Sequence, residues 1–235
     1  MEITPQLWGL SQATIDELGD ELRSFHQEFA PLFKTRTRDV SEHAFTELKG
    51  SLLMEGKRTY TGVAQKVVDP LDAGQNLQHF MSDSPWESQQ IFDAIQGQIR
   101  EHPELQGGML NLDDSGNVCS SLQKAGAQKQ YLGRLGKVDV GQVGVVLSYY
   151  HEGIWALVDA ELFLPESWFE KEHTKAWKRL HIPEDREFAT KLDIGKAKID
   201  HAIEQAFPFE GGGRIPGMVV TPVCAIILRP KASGI

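Results

Sequence analysis

The spacing of apolar residues changes about 105 residues into the chain, from a helical period to a period of two. Before that point apolar side chains recur every three or four positions, which predicts a set of helices. The first should follow Thr14 as the N-cap of a capping box, and a second should span residues 41–54. Shorter helices are predicted at residues 60–68 and from Ser84, as N-cap, to just before the proline at position 103.

The second half of the chain alternates apolar and polar side chains and is predicted to form strands. Strands are expected at residues 127–132, 141–150 and 154–165, with a glycine-containing turn between the last two. A helix at residues 190–207 should follow, and the three glycines at positions 211–213 should form a loop after it.

This change of pattern predicts two domains. A helical domain is expected over residues 1–103, and a domain with a mixed sheet over residues 104–235. A short apolar segment at residues 218–220 would join that sheet as a parallel strand. The predicted fold class is therefore α+β, or mixed α/β.

Two adjacent carboxylates, Asp113 and Asp114, are the strongest candidates for chemistry. They follow the apolar segment 109–112 and precede Ser115 and Gly116. Neighbouring side chains of a strand point to opposite faces, so one carboxylate would face a site and the other would face away. Asp oxygens suit Mg²⁺, a hard cation that takes one or two protein carboxylates. Asp-Ser-Gly is also good turn chemistry, and from these residues alone a turn is the favoured interpretation.

Composition narrows the classes of function. The chain has 235 residues and a formal net charge of −9, which argues against a surface that coats nucleic acid but permits local basic patches. It has no apolar run long enough to span a membrane, no secretory signal, and two cysteines, too few for a disulfide framework. A cytoplasmic protein with neither a membrane nor a small-molecule partner is expected.

Two basic segments are candidate contacts for DNA phosphates. One lies between the first two predicted helices, and the other lies between the Asp pair and the long strands. Their basic residues are Lys34, Arg36 and Arg38, and Lys129, Arg134 and Lys137. Each segment has a plain alternative interpretation, a solvated loop for the first and a solvated hairpin for the second.

Several motifs occur in a fixed order along the chain. They are Asp-Asp-Ser-Gly at 113–116, Gln-Tyr-Leu-Gly-Arg-Leu-Gly-Lys at 130–137, Gln-Val-Gly-Val at 142–145, and Leu-Phe-Leu-Pro at 162–165 followed by Trp168. Leu-Lys-Gly-Ser-Leu-Leu at 48–53 and the pair Thr190-Lys191 belong to the same series. Together these motifs resemble the DDE transposases of bacterial insertion sequences, in the branch named after insertion sequence 701.

The resemblance implies a fold, a reaction and a cofactor. It implies an RNase H-like catalytic domain behind a helical domain, with transposon-end DNA and target DNA as partners. Three acidic residues of such enzymes hold two Mg²⁺ or Mn²⁺ ions, which promote in-line attack on a phosphodiester. Asp114 matches the first of these acids and is the expected catalytic residue and metal ligand, with Asp113 as the fallback.

The resemblance breaks after residue 220. The family's second Asp should follow directly, where this chain has Thr221 and Pro222, and the third acid, a Glu, should lie beyond Ile235. The expected function is therefore that of an insertion-sequence transposase in DNA transposition, as a truncated copy with an incomplete catalytic centre. The alternative is a non-catalytic DNA-binding or regulatory fragment that can partner a full-length transposase.

Overall fold

The computed structural model describes residues 11–56 and 58–214, and the chain divides into two compact units between Ile91 and Phe92. The helices of the described residues are α1 (Gln12–Phe29), α2 (Ser41–Leu53), α3 (Tyr60–Val67), α4 (Gln75–Asp83), α5 (Ser88–Glu101), α6 (Lys171–Trp177) and α7 (Lys191–Glu204). The strands are β1 (Gly108–Val118), β2 (Gln128–Leu132), β3 (Lys137–His151), β4 (Ile154–Phe163) and β5 (Phe209–Arg214). None of these helices combines the length and apolar character needed to cross a bilayer.

The first unit is helical and has a small core of its own. Val63 and Ala64 of α3 are buried together with Leu77 of α4. A Cβ atom on Gly50 of α2 would collide with the Val63 side chain, so a glycine at this position lets α2 and α3 approach closely. The predicted helices at residues 41–54 and 60–68 are confirmed as α2 and α3.

Two predicted helix starts are wrong. Helix α1 has Ser11 as its N-cap, and the Ser11 hydroxyl accepts a hydrogen bond from the amide of Thr14, which lies inside the first turn. Helix α5 begins at Ser88 rather than after Ser84. The segment between Ser84 and Ser88 is anchored by Trp86. The indole N–H of Trp86 donates to the Phe80 carbonyl at 2.9 Å, and its ring stacks on the Phe80 ring. Tertiary packing of this Trp overrides the local capping signal.

The second unit is built on a mixed five-stranded sheet. Strand β1 lies between β3, which is antiparallel to it, and β5, which is parallel to it. Strands β2 and β4 both pair with the other edge of β3, at successive stretches of that long strand. Glu152 and Gly153 both have positive φ, as a two-residue turn between β3 and β4 requires. A helical unit and a mixed sheet confirm the predicted α+β class.

Two segments predicted to be turns or loops are strand. Strand β1 runs without interruption through Asp113, Asp114, Ser115 and Gly116, and each of these residues has a partner in β3. The glycine run at positions 211–213 lies within β5 and pairs with β1. In both segments a continuous ladder of backbone hydrogen bonds outweighs local turn preference. The strand predicted at residues 218–220 lies outside the described residues.

Helix α7 packs against the sheet through its apolar stripe. Ile194, Ile199 and Ala202 are buried in the main core of the second unit, which also contains Leu112 of β1. A Cβ atom on Gly195 would lie 2.5 Å from Leu112 Cδ2, so glycine permits this close approach of helix and strand. Burying side chains the size of Ile194 and Ile199 contributes roughly 1.5–3 kcal/mol each, which holds α7 against the sheet.

Tyr149 fastens the start of β1. Its hydroxyl accepts a hydrogen bond from the Gly108 amide at 2.9 Å and donates to the Leu105 carbonyl at 2.8 Å. The phenol is fully buried, and this burial raises its pKa above the ordinary value. One side chain of β3 thus satisfies the backbone groups where the chain enters the sheet.

Replacing Tyr149 by Phe should lower the free energy of unfolding by about 1–3 kcal/mol, because the Gly108 amide loses its acceptor while it stays buried. Urea unfolding followed by circular dichroism measures the change. Tyr131→Phe is the matched control, since the Tyr131 side chain is 61% exposed and its loss of a hydroxyl should change little. Equal stability of Tyr149→Phe and the wild type would contradict this role.

Candidate active site

Three carboxylates of the described residues share the face of the sheet that α7 covers. Asp114 pairs with Val145 of β3, and Val145 pairs in turn with Glu161 of β4, so these three side chains form one cross-strand row. In the next row along, Leu147 pairs with Asp159. Acidic groups and the hydrophobic core therefore occupy the same surface of the sheet.

A β-bulge in β4 brings Asp159 to this face. The pairing between β3 and β4 shifts between Leu147 and Ser148, so that Val158 is the extra residue on β4. Its carbonyl accepts a hydrogen bond at 3.0 Å from the side chain of Gln96, a buried residue of α5. As a result both Val158 and the next residue, Asp159, are fully buried.

Two of the three carboxylates are bridged by one lysine. Lys198 of α7 places Nζ 3.2 Å from Asp159 and 3.2 Å from Glu161. Glu161 also forms an ion pair with Arg186, which lies before α7. The Asp159 side chain has no exposed surface, so its charge depends on this pairing inside the protein.

Asp114 is paired separately. Its Oδ2 atom lies 2.6 Å from Nζ of Lys191, the first residue of α7. Both side chains are about one-third exposed, at 33% for Asp114 and 30% for Lys191. The Lys191 ammonium also lies 5.5 Å from the centre of the Phe163 ring. Asp114 is thus the acid of this face that solvent and a ligand reach most readily.

Asp113 points to the opposite face of the sheet. It pairs with Val146, and its Oδ1 accepts a hydrogen bond at 2.8 Å from the amide of Asp114. The expectation from strand alternation, that one carboxylate faces the site and the other faces away, agrees with this register. Of the two, Asp114 is the one that lies beside α7.

A capping box fixes the start of α7 and therefore the position of Lys191. The Thr190 hydroxyl accepts from the Asp193 amide, and an Asp193 oxygen accepts from the Thr190 amide and hydroxyl. These hydrogen bonds, first from the Thr190 side chain and then from its backbone, hold the pKa of Asp193 below its ordinary value. The predicted helix at residues 190–207 is confirmed with slightly shorter bounds.

The described residues do not by themselves fit a two-metal centre. No three of their His, Cys, Asp and Glu side chains form a group that could hold a metal ion. Asp114 and Glu161 are two strands apart, about 10 Å at ordinary strand spacing, and Glu161 is already bound by two cations. Of the three acids on this face, Asp114 is the most exposed, at 33% against 25% for Glu161 and none for Asp159.

The basic segment of the first unit is an anchored loop. Phe33 and Val40 are buried on either side of it, and the chain closes through an antiparallel bridge between Lys34 and Asp39. The Thr35 hydroxyl donates to the carbonyl of Arg38 at 3.0 Å and accepts from its amide at the same distance. Arg36 and Arg38 are exposed, whereas Lys34 faces Asp39 at 3.6 Å.

The second basic segment is the hairpin of β2 and β3. Lys129 is exposed on the same side of β2 as Tyr131, which is 61% exposed. Lys137 pairs with Asp139 at 2.8 Å, and this hydrogen bond from Lys137 is the main reason that the pKa of Asp139 is lowered. Arg134 lies in a 3₁₀ turn between the two strands. The hairpin thus presents a mixture of basic and aromatic groups.

Sequence reasoning missed Asp159, Glu161, Lys191 and Lys198 as members of a site. A strict alternation along β4 assigns Asp159 to the face of Leu157, and the bulge reverses that assignment. A usable signal was present in α7: both lysines lie seven residues apart on its buried stripe, where an unpaired cation would be costly.

Comparison with known proteins identifies a family that covers most of the described residues. A family model described as DDE superfamily endonuclease matches residues 28–210. A relative from Microchaete diplosiphon, named as a probable transposase for insertion sequence element IS701, is 29% identical over 128 residues. The match covers 52% of this chain and 32% of that protein, so the chain corresponds to about a third of the relative's length. No solved structure matches.

Replacing Asp193 by Asn should destabilise the protein at neutral pH and have a diminishing effect as the solution becomes acidic. A depressed folded-state pKa means that the carboxylate stabilises above the unfolded-state pKa of about 3.9 and that this contribution is lost as pH falls through the folded value. Urea midpoints at pH 7, 5 and 3 measure the difference. Asp200→Asn, an exposed change on the same helix, should show no such convergence.

Proposed function

This chain belongs to the DDE superfamily endonucleases, and we propose that it is a transposase of the IS701 type. In this proposal it acts on transposon-end DNA, and Asp114 is its first metal-ligating acid. DDE superfamily endonucleases depend in general on divalent metal ions. The single observation that carries the assignment of Asp114 is its place. It is a partly exposed carboxylate on β1, an interior strand of the sheet, on the face that α7 covers.

The neighbouring acids support this choice by elimination. Asp159 is fully buried against Lys198, and Glu161 is held by Lys198 and Arg186. A buried carboxylate, or one held by two cationic side chains, would have to give up these ion pairs to bind a metal ion, which is unfavourable. Asp113 faces the other side of the sheet, and its Oδ1 is used by the backbone.

The basic loop and the hairpin are the proposed DNA contacts. Arg36 and Arg38 are exposed on a loop whose shape is fixed by its own hydrogen bonds. The backbone therefore has little conformational entropy to lose when they bind phosphate. Lys129, beside the exposed ring of Tyr131, offers the same chemistry in the second unit. Because the chain carries a net charge of −9, such contacts must be local.

The second candidate function is DNA binding without strand cleavage by this chain. The observation that favours it is the charge balance of the site: each acid on the α7 face of the described residues already has a cationic partner. In this case the chain would occupy transposon ends or join a full-length transposase. Binding and cleavage assays on the same DNA separate the two candidates.

The double substitution Arg36→Gln and Arg38→Gln should weaken binding to transposon-end DNA and lower the salt slope of the binding constant by about 2, one for each phosphate that is no longer neutralised. Fluorescence anisotropy at several salt concentrations measures both quantities. Arg58→Gln with Lys66→Gln removes the same charge from exposed positions of the same unit and is the matched control. Equal salt slopes of the binding constant for the two double variants would show that the loop does not contact DNA.

Any Mg²⁺- or Mn²⁺-dependent cleavage of transposon-end DNA by this chain should fall by at least about a hundredfold in Asp114→Asn, since a lost ligand removes the metal's contribution. Asp113→Asn, which changes the adjacent carboxylate on the other face, should retain most of the activity. Cleavage that survives Asp114→Asn would overturn the assignment of this residue. Specific DNA binding with no cleavage by the wild type would instead establish the second candidate.

A further inference from the structure

The pair Ser84-Pro85 has the sequence of a helix start, but no helix of the described residues begins there. Helix α4 ends at Asp83, and α5 begins at Ser88. The Ser84 amide donates to the His79 carbonyl and so closes α4. The Ser84 hydroxyl forms no hydrogen bond with any other residue that the structure describes. A half-buried polar side chain therefore keeps a donor to offer to a ligand.

Ser84 lies in the wall of a pocket of about 390 Å³ in the first unit. The end of α4 and the two residues after it form one wall, and the basic loop at residues 34–40 forms the other. The polar groups of the lining include those of Thr37, Arg38, His79, Asp83 and Ser84. The volume lies within the range of small-ligand sites, roughly 300–1,000 Å³, and leaves room for a phosphate with an adjoining sugar.

Three aromatic rings hold the two walls of this pocket together. Phe33 comes directly before the basic loop, Phe80 lies in α4, and Trp86 follows Ser84 by two residues. The centres of these three rings lie between 5.6 and 5.9 Å from one another, and Phe33 and Phe80 are buried. The loop is also fixed by its own hydrogen bonds. The pocket is therefore formed before a ligand arrives, which lowers the entropic cost of binding.

The pocket offers an anion three donor groups that have no partner in the described part of the chain. The Thr37 hydroxyl and the Arg38 guanidinium, like the Ser84 hydroxyl, form no hydrogen bond or ion pair with another described residue. Guanidinium and hydroxyl groups are among the usual ligands of DNA phosphates. The carboxylate of the lining, Asp83, already contacts Nδ1 of His79 at 2.7 Å. The donor set thus fits a phosphate.

We propose that this pocket holds one phosphate of the DNA backbone, bound by the Arg38 guanidinium and by the hydroxyls of Thr37 and Ser84. The proposal rests on the proposed function, in which the basic loop contacts DNA. It extends that contact to the residues after α4, so that the phosphate is held from two walls. Such a contact carries no base information but fixes the position of the duplex on the protein. The pocket thus sets the register of DNA on the helical unit.

The test is fluorescence anisotropy of the full chain with a labelled duplex taken from the transposon end. Ser84→Ala should weaken binding about three- to tenfold, because a hydrogen bond to a charged oxygen is lost. It removes no charge, so the salt slope of the binding constant should stay unchanged, whereas a displaced basic loop would lower that slope. Ser84→Thr keeps a hydroxyl and should bind within about twofold of the wild type. Ser82→Ala, an exposed change in α4, should have no effect.

Asp83→Asn reports the charge of the ligand. It removes a negative charge beside the pocket and should strengthen DNA binding by about twofold or more if the pocket holds a phosphate. Weaker binding by Asp83→Asn would mean that the pocket takes a hydrogen-bond donor, such as the edge of a base, and would overturn the proposal.

The remaining failures are distinguishable. If Ser84→Ala binds DNA like the wild type while Arg36→Gln with Arg38→Gln lowers the salt slope, the pocket proposal is wrong and the loop contact stands. If inorganic phosphate at constant ionic strength shifts the amide signals of Thr37 and Ser84, but Ser84→Ala leaves DNA binding intact, the pocket takes free phosphate and the proposal is again wrong. If the wild type shows no salt-dependent binding to the duplex, the proposed function fails together with this inference. Melting curves followed by circular dichroism show in each case that the variant is folded.

Discussion

The second unit depends on the neutralisation of acids that share a sheet face with the hydrophobic core. Asp159 is fully buried beside apolar side chains, and an unpaired charge in such a place costs several kcal/mol, roughly 3–5 when one partner is removed. Lys198 of α7 supplies the partner and reaches Glu161 as well. The ion pairs therefore constrain the position of α7 on the sheet more specifically than apolar packing alone, which tolerates sliding of similar side chains.

The same constraint accounts for the bulge in β4. Strict alternation would send Asp159 to the face of Leu157, away from Lys198. The extra residue, Val158, turns Asp159 toward the helix and leaves a carbonyl that the side chain of Gln96 satisfies. A local irregularity, a buried acid, a lysine of α7 and a glutamine of α5 thus form one arrangement. Each part would be unfavourable without the others.

The sequence predicted the fold class and most elements because apolar periodicity reports burial, and burial dominates the energetics of helices and long strands. It failed where a tertiary contact overrode a local signal. The turn propensity of residues 113–116 and of the glycine run at 211–213 yielded to pairing with β3 and β1. The packing of Trp86 outweighed the capping preference of Ser84, so helix α5 begins at Ser88. No local sequence pattern indicates which strand will pair with a given segment.

The candidate site was predictable in part for the same reason. Asp114 could be chosen from its place in an ordered series of motifs, but its partner Lys191 lies 77 positions further on, and only the fold brings the two together. The four residues missed in β4 and α7 form pairs that join separate elements. Side chains that act through long-range charge pairing leave a weak signal, which here is a lysine on an otherwise apolar stripe.

Local pairing also decides how much of the basic charge can act on DNA. Counting basic residues overstates the electrostatic attraction, since Lys34 faces Asp39 and Lys137 faces Asp139. A phosphate that binds either lysine must compete with a carboxylate, so the net release of counterions is smaller than one per residue. Arg36, Arg38 and Lys129 are exposed and have no carboxylate at such a distance among the described residues, so they should supply most of the salt-dependent binding. For a chain of net charge −9, affinity for DNA therefore depends on a few cations held on ordered backbone rather than on a broad positive field.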